Sequence, residues 1–584
     1  MIYLQFSLSL FILILIAASI SKLLTLEINK SVFISICIMS IIVLILYKIK
    51  IYNSFPILLF FSLTLLFIKK IRIIIIKNYL FLIEFIIISL LFFFLLKEKI
   101  FMDQDELSYW GIKYKYFISL TTSEIDKLYD FSKYFGNYHP SITSLFHAFN
   151  SYIIGFDEGV AIFSNTLILI SGFYYLFFFT NQNIIFRLTY LIIFYLILNS
   201  LSWGFLAIYT DTVIGVTFAI LIINLLHYLE GGKKINLISF IFILIFFLNI
   251  HRSAILLSST LILFIFMEKN LQNKKLKLLF MSFIILIFFY FIYGLLFKSI
   301  KLQLNLSEIY KYIKEFFQII LLSKIYNSQF GVLFNELRHF FDFNFILLPE
   351  YILSVFIWYL FVIYIYLIAN FKNKNINYTL FFIFLVFSLA IYYDKIILNK
   401  TSPQTFGRYI SFILISFILI FFYKYKYNSK HKDIAKLFFI IFLLLLIAPK
   451  KTIGLFTNKN FYQNYDVTNK NYFKIRNDLK NFSNKIKKEN TGNKNSAIII
   501  YGSEHGVTAY HYSLFHSALQ LELFPINSEF VPIQLFLKKE RNINHYISDK
   551  NIVIYYNIKS NDIKKLLLSL QIYKINRVYF FNNE

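Results

Sequence analysis

The sequence predicts a polytopic α-helical membrane protein, and three observations carry that reading. The chain has 584 residues, 58% hydrophobic and 15% charged, whereas a soluble chain is about half apolar and about a quarter charged. Its apolar residues arrive in blocks of roughly 16 to 22, the length a helix needs to cross about 30 Å of hydrocarbon. Short Lys/Asn/Tyr clusters separate the blocks. The formal net charge of +27 would suggest nucleic acid in a soluble protein. Here the basic residues flank apolar blocks, where they set topology and meet anionic headgroups, so membrane lipids and no nucleic acid are expected. The single cysteine, Cys37, lies inside an apolar block and excludes an internal disulfide.

In chain order, blocks at roughly 2–20, 31–47, 52–68, 79–96, 160–179, 188–201, 212–228, 236–250, 253–267, 278–297, 349–369, 378–393, 409–423 and 437–449 give about fourteen spans. The first has no basic n-region and no small-residue cleavage site before Ser21-Lys22-Leu23, so it reads as a membrane helix and not as a secretory leader. Alternating the connections between two sides collects the short basic loops on one of them. These are Lys69-Lys70-Ile71-Arg72 with Lys77, Arg187, Lys233-Lys234, Lys269 with Lys274, Lys275 and Lys277, Lys372 with Lys374, and 424–436. That side is the cytoplasm by the positive-inside rule. Glu84, about two turns into the fourth block, reads as structural, snorkelling or pairing locally.

The opposite side receives the long connections near 100–158, 298–348 and 394–408, together with everything after Pro449. The sequence therefore divides into a transmembrane domain, 1–449, and an extracytoplasmic tail, 450–584. In the tail, Asn/Lys-rich stretches give way to 496–501, 551–556 and 577–581, runs of β-branched and aromatic residues. Helical stretches at about 507–521 and 561–570 alternate with them, which reads as a small α/β domain. Gly502-Ser503-Glu504-His505-Gly506 follows the first run, lacks the glycine spacing of a nucleotide fingerprint and reads as a plain βα turn. No repeat of fixed period runs through the chain.

The first external loop opens with Phe101-Met102-Asp103-Gln104-Asp105-Glu106-Leu107-Ser108-Tyr109-Trp110-Gly111-Ile112-Lys113-Tyr114-Lys115. Three carboxylates at the mouth of a membrane helix repel one another and resist desolvation, so they call for a cation, a metal or a proton-transfer task. The plainer alternative is a solvated loop whose acids meet Lys97 and Lys99. Against it stands the interleaving, because Tyr109 and Trp110 offer faces on which a sugar stacks, and Lys113 and Lys115 offer charge for a phosphate. This is the best candidate site in the chain.

These residues resemble the GT-C membrane glycosyltransferases, especially the bacterial relatives of protein mannosyltransferases and of the lipid A aminoarabinose transferase. The motif resembles that family's Asp, often followed by Glu, at the start of the first large external loop. Asp105-Glu106 matches the pair, with Asp103 a second acid nearby. A Tyr-Pro-rich turn follows in a similar subgroup, here Asn137-Tyr138-His139-Pro140-Ser141. Further matches are Tyr209-Thr210-Asp211-Thr212 before a later span, His251-Arg252 at an external helix end, and Arg408-Tyr409 at an external helix start. The similarity covers roughly residues 79–423 in order. Four apolar blocks precede the acidic loop, against one in the usual family plan, which leaves either added N-terminal helices or fewer true spans.

The resemblance implies a GT-C-like bundle of about 12–14 transmembrane helices in a bacterial plasma membrane, with a small C-terminal extracytoplasmic α/β domain. It implies an inverting hexosyl- or pentosyltransferase that moves a sugar from a polyprenyl-phosphate donor to the hydroxyl of a lipid, glycan or protein acceptor. Asp105 would be the base, with Asp103 and Glu106 beside it. Substrate binding would fall to Tyr109, Trp110, Lys113, Tyr138, His139, Asp211, His251, Arg252, Arg408 and Tyr409. A divalent metal ion is the one cofactor candidate; His139 and His147 lack metal-ligand spacing, but nearby Asp and Glu could still hold it, and Asp103 or Glu106 would orient the acceptor or the ion. Asp211 reads equally as a helix N-cap, and Arg408 as an interfacial anchor. Two other activities stay open: an O-antigen-type polymerase or ligase, for which Arg338 in the second long loop would matter, and a lipid-linked glycan transporter.

Overall fold

The computed structural model describes residues 2–49, 51, 53–101, 106–122, 142–178, 184–201, 204–205, 207–208, 210–231, 234–251, 254, 257–258, 261, 403–425, 469–489, 496–501, 509–524, 526–532, 552–556 and 578–581. The chain divides into two compact units. One joins Met1–Lys99 to Gly136–Thr457, and the other joins Ile100–Phe135 to Asn458–Glu584. The boundary drawn from composition at 449 left the whole first loop with the membrane part. The structure instead groups the opening of that loop with the tail.

The first unit is helical: α1 (Ile2–Leu24), α2 (Ile28–Lys48), α3 (Ser54–Thr64), α4 (Lys69–Lys77) and α5 (Tyr79–Leu96), then α7 (Ile142–Ile154), α8 (Glu158–Phe177), α9 (Ile184–Leu201), α10 (Thr210–Gly231), α11 (Lys234–Leu248) and α12 (Pro403–Tyr425). Among the described residues, five helices are long and apolar enough to cross a membrane: Ile2–Leu24, Ile28–Tyr47, Tyr79–Leu96, Glu158–Phe177 and Thr210–Tyr228. The chain is thus mostly helical and suited to several membrane crossings.

The outside of the unit carries the same message. On α5, Leu80, Ile83, Ile87, Leu91 and Phe94 are exposed at spacings of three and four, while Phe81, Glu84, Phe85, Ile88 and Phe92 are buried. An apolar exposed stripe opposite a buried carboxylate is the reverse of a water-facing helix and suits a lipid-facing one. Helix α8 is buried along its whole length, and its polar residues find partners inside. Asn165 Nδ2 donates to Ala207 O (2.9 Å) and Thr166 Oγ1 to Phe205 O (3.0 Å).

Two layers of contacts fix which helix ends lie together. Phe6 near the start of α1 stacks on Phe93 near the end of α5 and meets Phe163 near the start of α8 edge-on. Asn29 at the start of α2 donates to Tyr174 O near the end of α8, and Tyr174 Oη donates to Glu84 near the start of α5. These pairings follow the alternation of sides deduced from the basic loops. The third block departs from it. Its helix ends at Thr64, continues as one tighter turn, Leu65–Phe67, and breaks at Ile68, whose backbone is extended. Fourteen residues span about 21 Å as a helix, short of a full crossing. The basic segment that follows, expected as a loop, forms α4, with Ile71 buried and Ile76 exposed.

In the second unit, a π-helical turn, Glu106–Gly111, runs into α6 (Ile112–Thr122). The tail supplies α13 (Asn469–Glu489), β1 (Ser496–Tyr501), α14 (Ala509–Leu523), β2 (Asn527–Pro532), β3 (Ile552–Tyr556) and β4 (Val578–Phe581). The strands form one parallel sheet in the order β2-β1-β3-β4. Three of these strands match the β-branched runs. The fourth, β2, has the sequence Asn-Ser-Glu-Phe-Val-Pro and was not anticipated, because an edge strand is covered on one side only and tolerates Glu529 and a terminal Pro532. Helix α13 also escaped the sequence reading, since its buried stripe of Arg476, Leu479, Ser483 and Ile486 holds only two apolar residues.

Candidate functional site

Asp103 and Asp105 lie outside the described residues, as do Tyr138, His139, Arg252 and Arg338. The description resumes at Glu106, immediately after Asp105, with the backbone wound as a π turn through Gly111. Such turns are rare, interrupt the ordinary hydrogen-bond ladder and recur at functional sites. Glu106 and Tyr109 belong to this turn. Trp110 is buried, and the Lys113 ammonium sits 4.6 Å from its ring centroid. A cation placed over an indole face is held by the ring quadrupole, the more strongly where water is excluded. Lys113 is itself fully buried.

Lys115, paired with Lys113 in the sequence reading, has a different task. Two residues apart on a helix point about 200° apart, so the two ammonium groups cannot share one side. Lys115 Nζ donates to Leu521 O (2.7 Å) and lies 3.5 Å from Glu522 Oε2. Arg476 Nη2 is 3.2 Å from the other carboxylate oxygen of Glu522. All three side chains are nearly covered. Burial raises the pKa of Glu522, but the charges of Lys115, Arg476, Lys487 and Lys480 outweigh it and hold the carboxyl below its ordinary value. His516, on the same helix, is pushed down to about 4 by burial and is therefore neutral near pH 7. The one cue to Glu522 in the sequence is a lone acid inside the apolar run at the end of α14; its partners, Lys115 at 407 residues' distance and Arg476 on another helix, carry none.

In the first unit, the remaining expected residues fall into two neighbourhoods. Asp211 is buried in the first turn of α10. Arg408 and Tyr409 lie within the first two turns of α12. Helices α10 and α12 run parallel. Ser416 Oγ donates to Gly215 O (2.8 Å), and a Cβ at Gly215 would stand 2.8 Å from Phe412 O, while farther along Tyr423 Oη meets His227 Nε2 at 2.8 Å. The N-terminal ends carrying Asp211 and Arg408 are therefore at the same end of the pair. This is also the course that alternation of sides gives to the seventh and thirteenth apolar blocks.

His251 is half-buried, just past a turn that meets α7, where Ile142 N donates to Asn249 O at 3.0 Å. His147, on α7, is buried with Nε2 unpartnered among the described residues. Among those residues, no group of three or more His, Cys, Asp or Glu could hold a metal ion.

The described helices are those of a mostly helical chain compatible with a multi-pass membrane protein, and the sequence carries a motif of acids, aromatics and bases. Beyond that class, comparison with known proteins finds no matching family model, no matching curated protein and no matching solved structure.

Proposed function

We propose that the protein is a membrane glycosyltransferase of the GT-C type, moving a sugar from a polyprenyl-phosphate donor to an acceptor hydroxyl on the extracytoplasmic face. The observation that carries this reading is the motif at 103–113. Acids, stacking aromatics and a buried cation follow directly on an apolar helix in the sequence, and residues 106–111 take the rare π-helical form. In this proposal the chain crosses a bacterial plasma membrane, and residues 450–584 form an extracytoplasmic α/β domain.

Asp105 takes the proton of the acceptor hydroxyl as that oxygen attacks the anomeric carbon. The bond from that carbon to the phosphate oxygen breaks, the electron pair leaves with polyprenyl phosphate, and configuration inverts. Asp103 or Glu106 orients the acceptor or a divalent metal ion. Arg408, with Arg252 or Lys113, offsets the charge that grows on the departing phosphate. Trp110 and Tyr109 shape the sugar pocket, and Tyr138, His139, Asp211, His251 and Tyr409 are the further candidates for binding substrate. Support for the distant members comes from the parallel course of α10 and α12, which gives Asp211 and Arg408 a common end.

The test is sugar transfer from a panel of synthetic polyprenyl-phosphate sugars, offered with lipid, glycan and protein acceptors, in membranes. Asp105→Asn at matched expression should abolish transfer while donor binding persists. Full activity in Asp105→Asn would sink the mechanism.

A further inference from the structure

We infer that the C-terminal tail positions the acidic motif, and that Lys115, Glu522 and Arg476 are the residues through which it does so. The inference rests on the glycosyltransferase reading for its catalytic half only. Its structural half stands on the second unit alone.

The motif is a poor candidate for holding itself in place. A π turn of six residues lacks the regular hydrogen-bond ladder of the helix it leads into, and α6 has only 11 residues, below the length at which an isolated helix persists in water. Both belong to the unit that also holds the tail, and the π turn lies against α14. The polar part of that contact is specific. The Lys115 ammonium is bound at its tip by a backbone carbonyl and a carboxylate, and the carboxylate is braced from its other side by Arg476 of α13. One acid thus joins α6, α13 and α14.

The charge count points the same way. Two cations within 3.5 Å of one buried acid leave Glu522 still paired with Arg476 when Lys115 is removed, so the tail keeps that ion pair while α6 loses this tie. Lys113, on the other side of α6 and over the Trp110 ring, is untouched by this arrangement. Holding a general base to within about 1 Å is worth up to about a hundredfold in rate, and in the sequence Asp105 directly precedes the π turn, ten residues before Lys115.

The experiment measures amide hydrogen exchange across 106–122 and across β1, together with transfer kinetics, in the full-length protein. Lys115→Met is the principal variant, Glu522→Gln the second, and Lys115→Arg the conservative replacement. In Lys115→Met, exchange in 106–122 should rise about tenfold or more while β1 keeps its protection, and kcat should fall about tenfold or more with the donor KM within about twofold. Lys115→Arg should recover most of both. Unchanged exchange in 106–122 for Lys115→Met and Glu522→Gln alike would overturn the inference. So would faster exchange with an unchanged kcat. If the wild-type protein transfers no sugar, the glycosyltransferase reading fails by itself, and exchange in the two variants still decides whether the tail holds the motif.

Discussion

Both units of the molecule hold a buried carboxylate against basic side chains, Glu84 in the first and Glu522 in the second, and the two sites are built differently. In the first unit, Glu84 accepts from Arg187 Nη2 (2.6 Å) and Nε (3.0 Å) and from Tyr174 Oη (3.2 Å), one acid against one base in a bidentate fork. In the second, Glu522 faces two bases, and its bond to Lys115 closes a loop of about four hundred residues. The first site ties helices whose outer faces are already apolar and lipid-compatible. The second ties a short helix to a tail. Ion pairs in the first unit are therefore expected to matter for stability, and those in the second for local order. The predictions that follow can break that distinction.

The largest effect belongs to Arg187. Removing it leaves Glu84 buried without its base, and breaking a buried pair from one side costs about 3–5 kcal/mol. Arg187→Ala should lower the thermal midpoint in detergent far more than the joint change Glu84→Gln with Arg187→Met. Equal losses in the two proteins would mean that the pair is not the source of the cost. Next comes Gly215, where α10 approaches α12 so closely that a Cβ would meet Phe412 O and Ile415 Cγ2, each at 2.8 Å. Gly215→Ala should destabilise by about 1–3 kcal/mol through overpacking, partly offset by the roughly 1 kcal/mol that alanine gains over glycine in a helix. A stabilised variant would show that the two helices are not in that contact.

Much of this was legible in the sequence, and the rest was hidden for definite physical reasons. Block length and the placement of Lys and Arg announced the helices and their alternation because both report directly on the bilayer. Glu84 could be read as structural for the same reason, a charge inside an apolar block being able to survive only paired or at an interface. The break at Ile68 was not visible, since hydrophobicity is continuous there while the helix is not. Nor was the role of Lys115. Lys113 and Lys115 look alike as letters, and only the helical turn between them sends one over Trp110 and the other to Glu522. Asp211 and Arg408 were singled out as candidates by residue type, but their common end depends on the parallel packing of α10 and α12, which no local pattern encodes.

A smaller effect separates the units by pH. Both His516 and Glu522 have lowered pKa values in the folded protein. A group of that kind adds stability that is present above its unfolded pKa and is lost as pH falls through its folded value. His516 should cost the second unit stability as pH falls from about 6.5 toward 4, and Glu522 should do so only below the ordinary carboxylate range. Hydrogen exchange in β1 and α14 against pH should therefore show two acid steps. His516→Gln should remove the upper one and Glu522→Gln the lower. A single step unaffected by either variant would contradict this assignment.

The smallest effect is the one closest to the proposed chemistry. Lys113 over Trp110 is a buried cation–π pair, worth roughly 0.5–2 kcal/mol depending on how completely water is excluded. Trp110→Phe keeps an aromatic ring but weakens the face presented to the ammonium, so the second unit should loosen only slightly. A double-mutant cycle with Lys113→Met isolates the pair, because the loss of ring area common to both backgrounds cancels. A coupling within the 0.5–2 kcal/mol range, read from exchange in α6, would place the contact among the forces that hold the π turn. Zero coupling would leave the tail contact at Lys115 as the main polar restraint on the motif. The comparison between the units would then sharpen, since the first would be secured by a fork of hydrogen bonds inside its bundle and the second by the reach of Lys115 from α6 to α14.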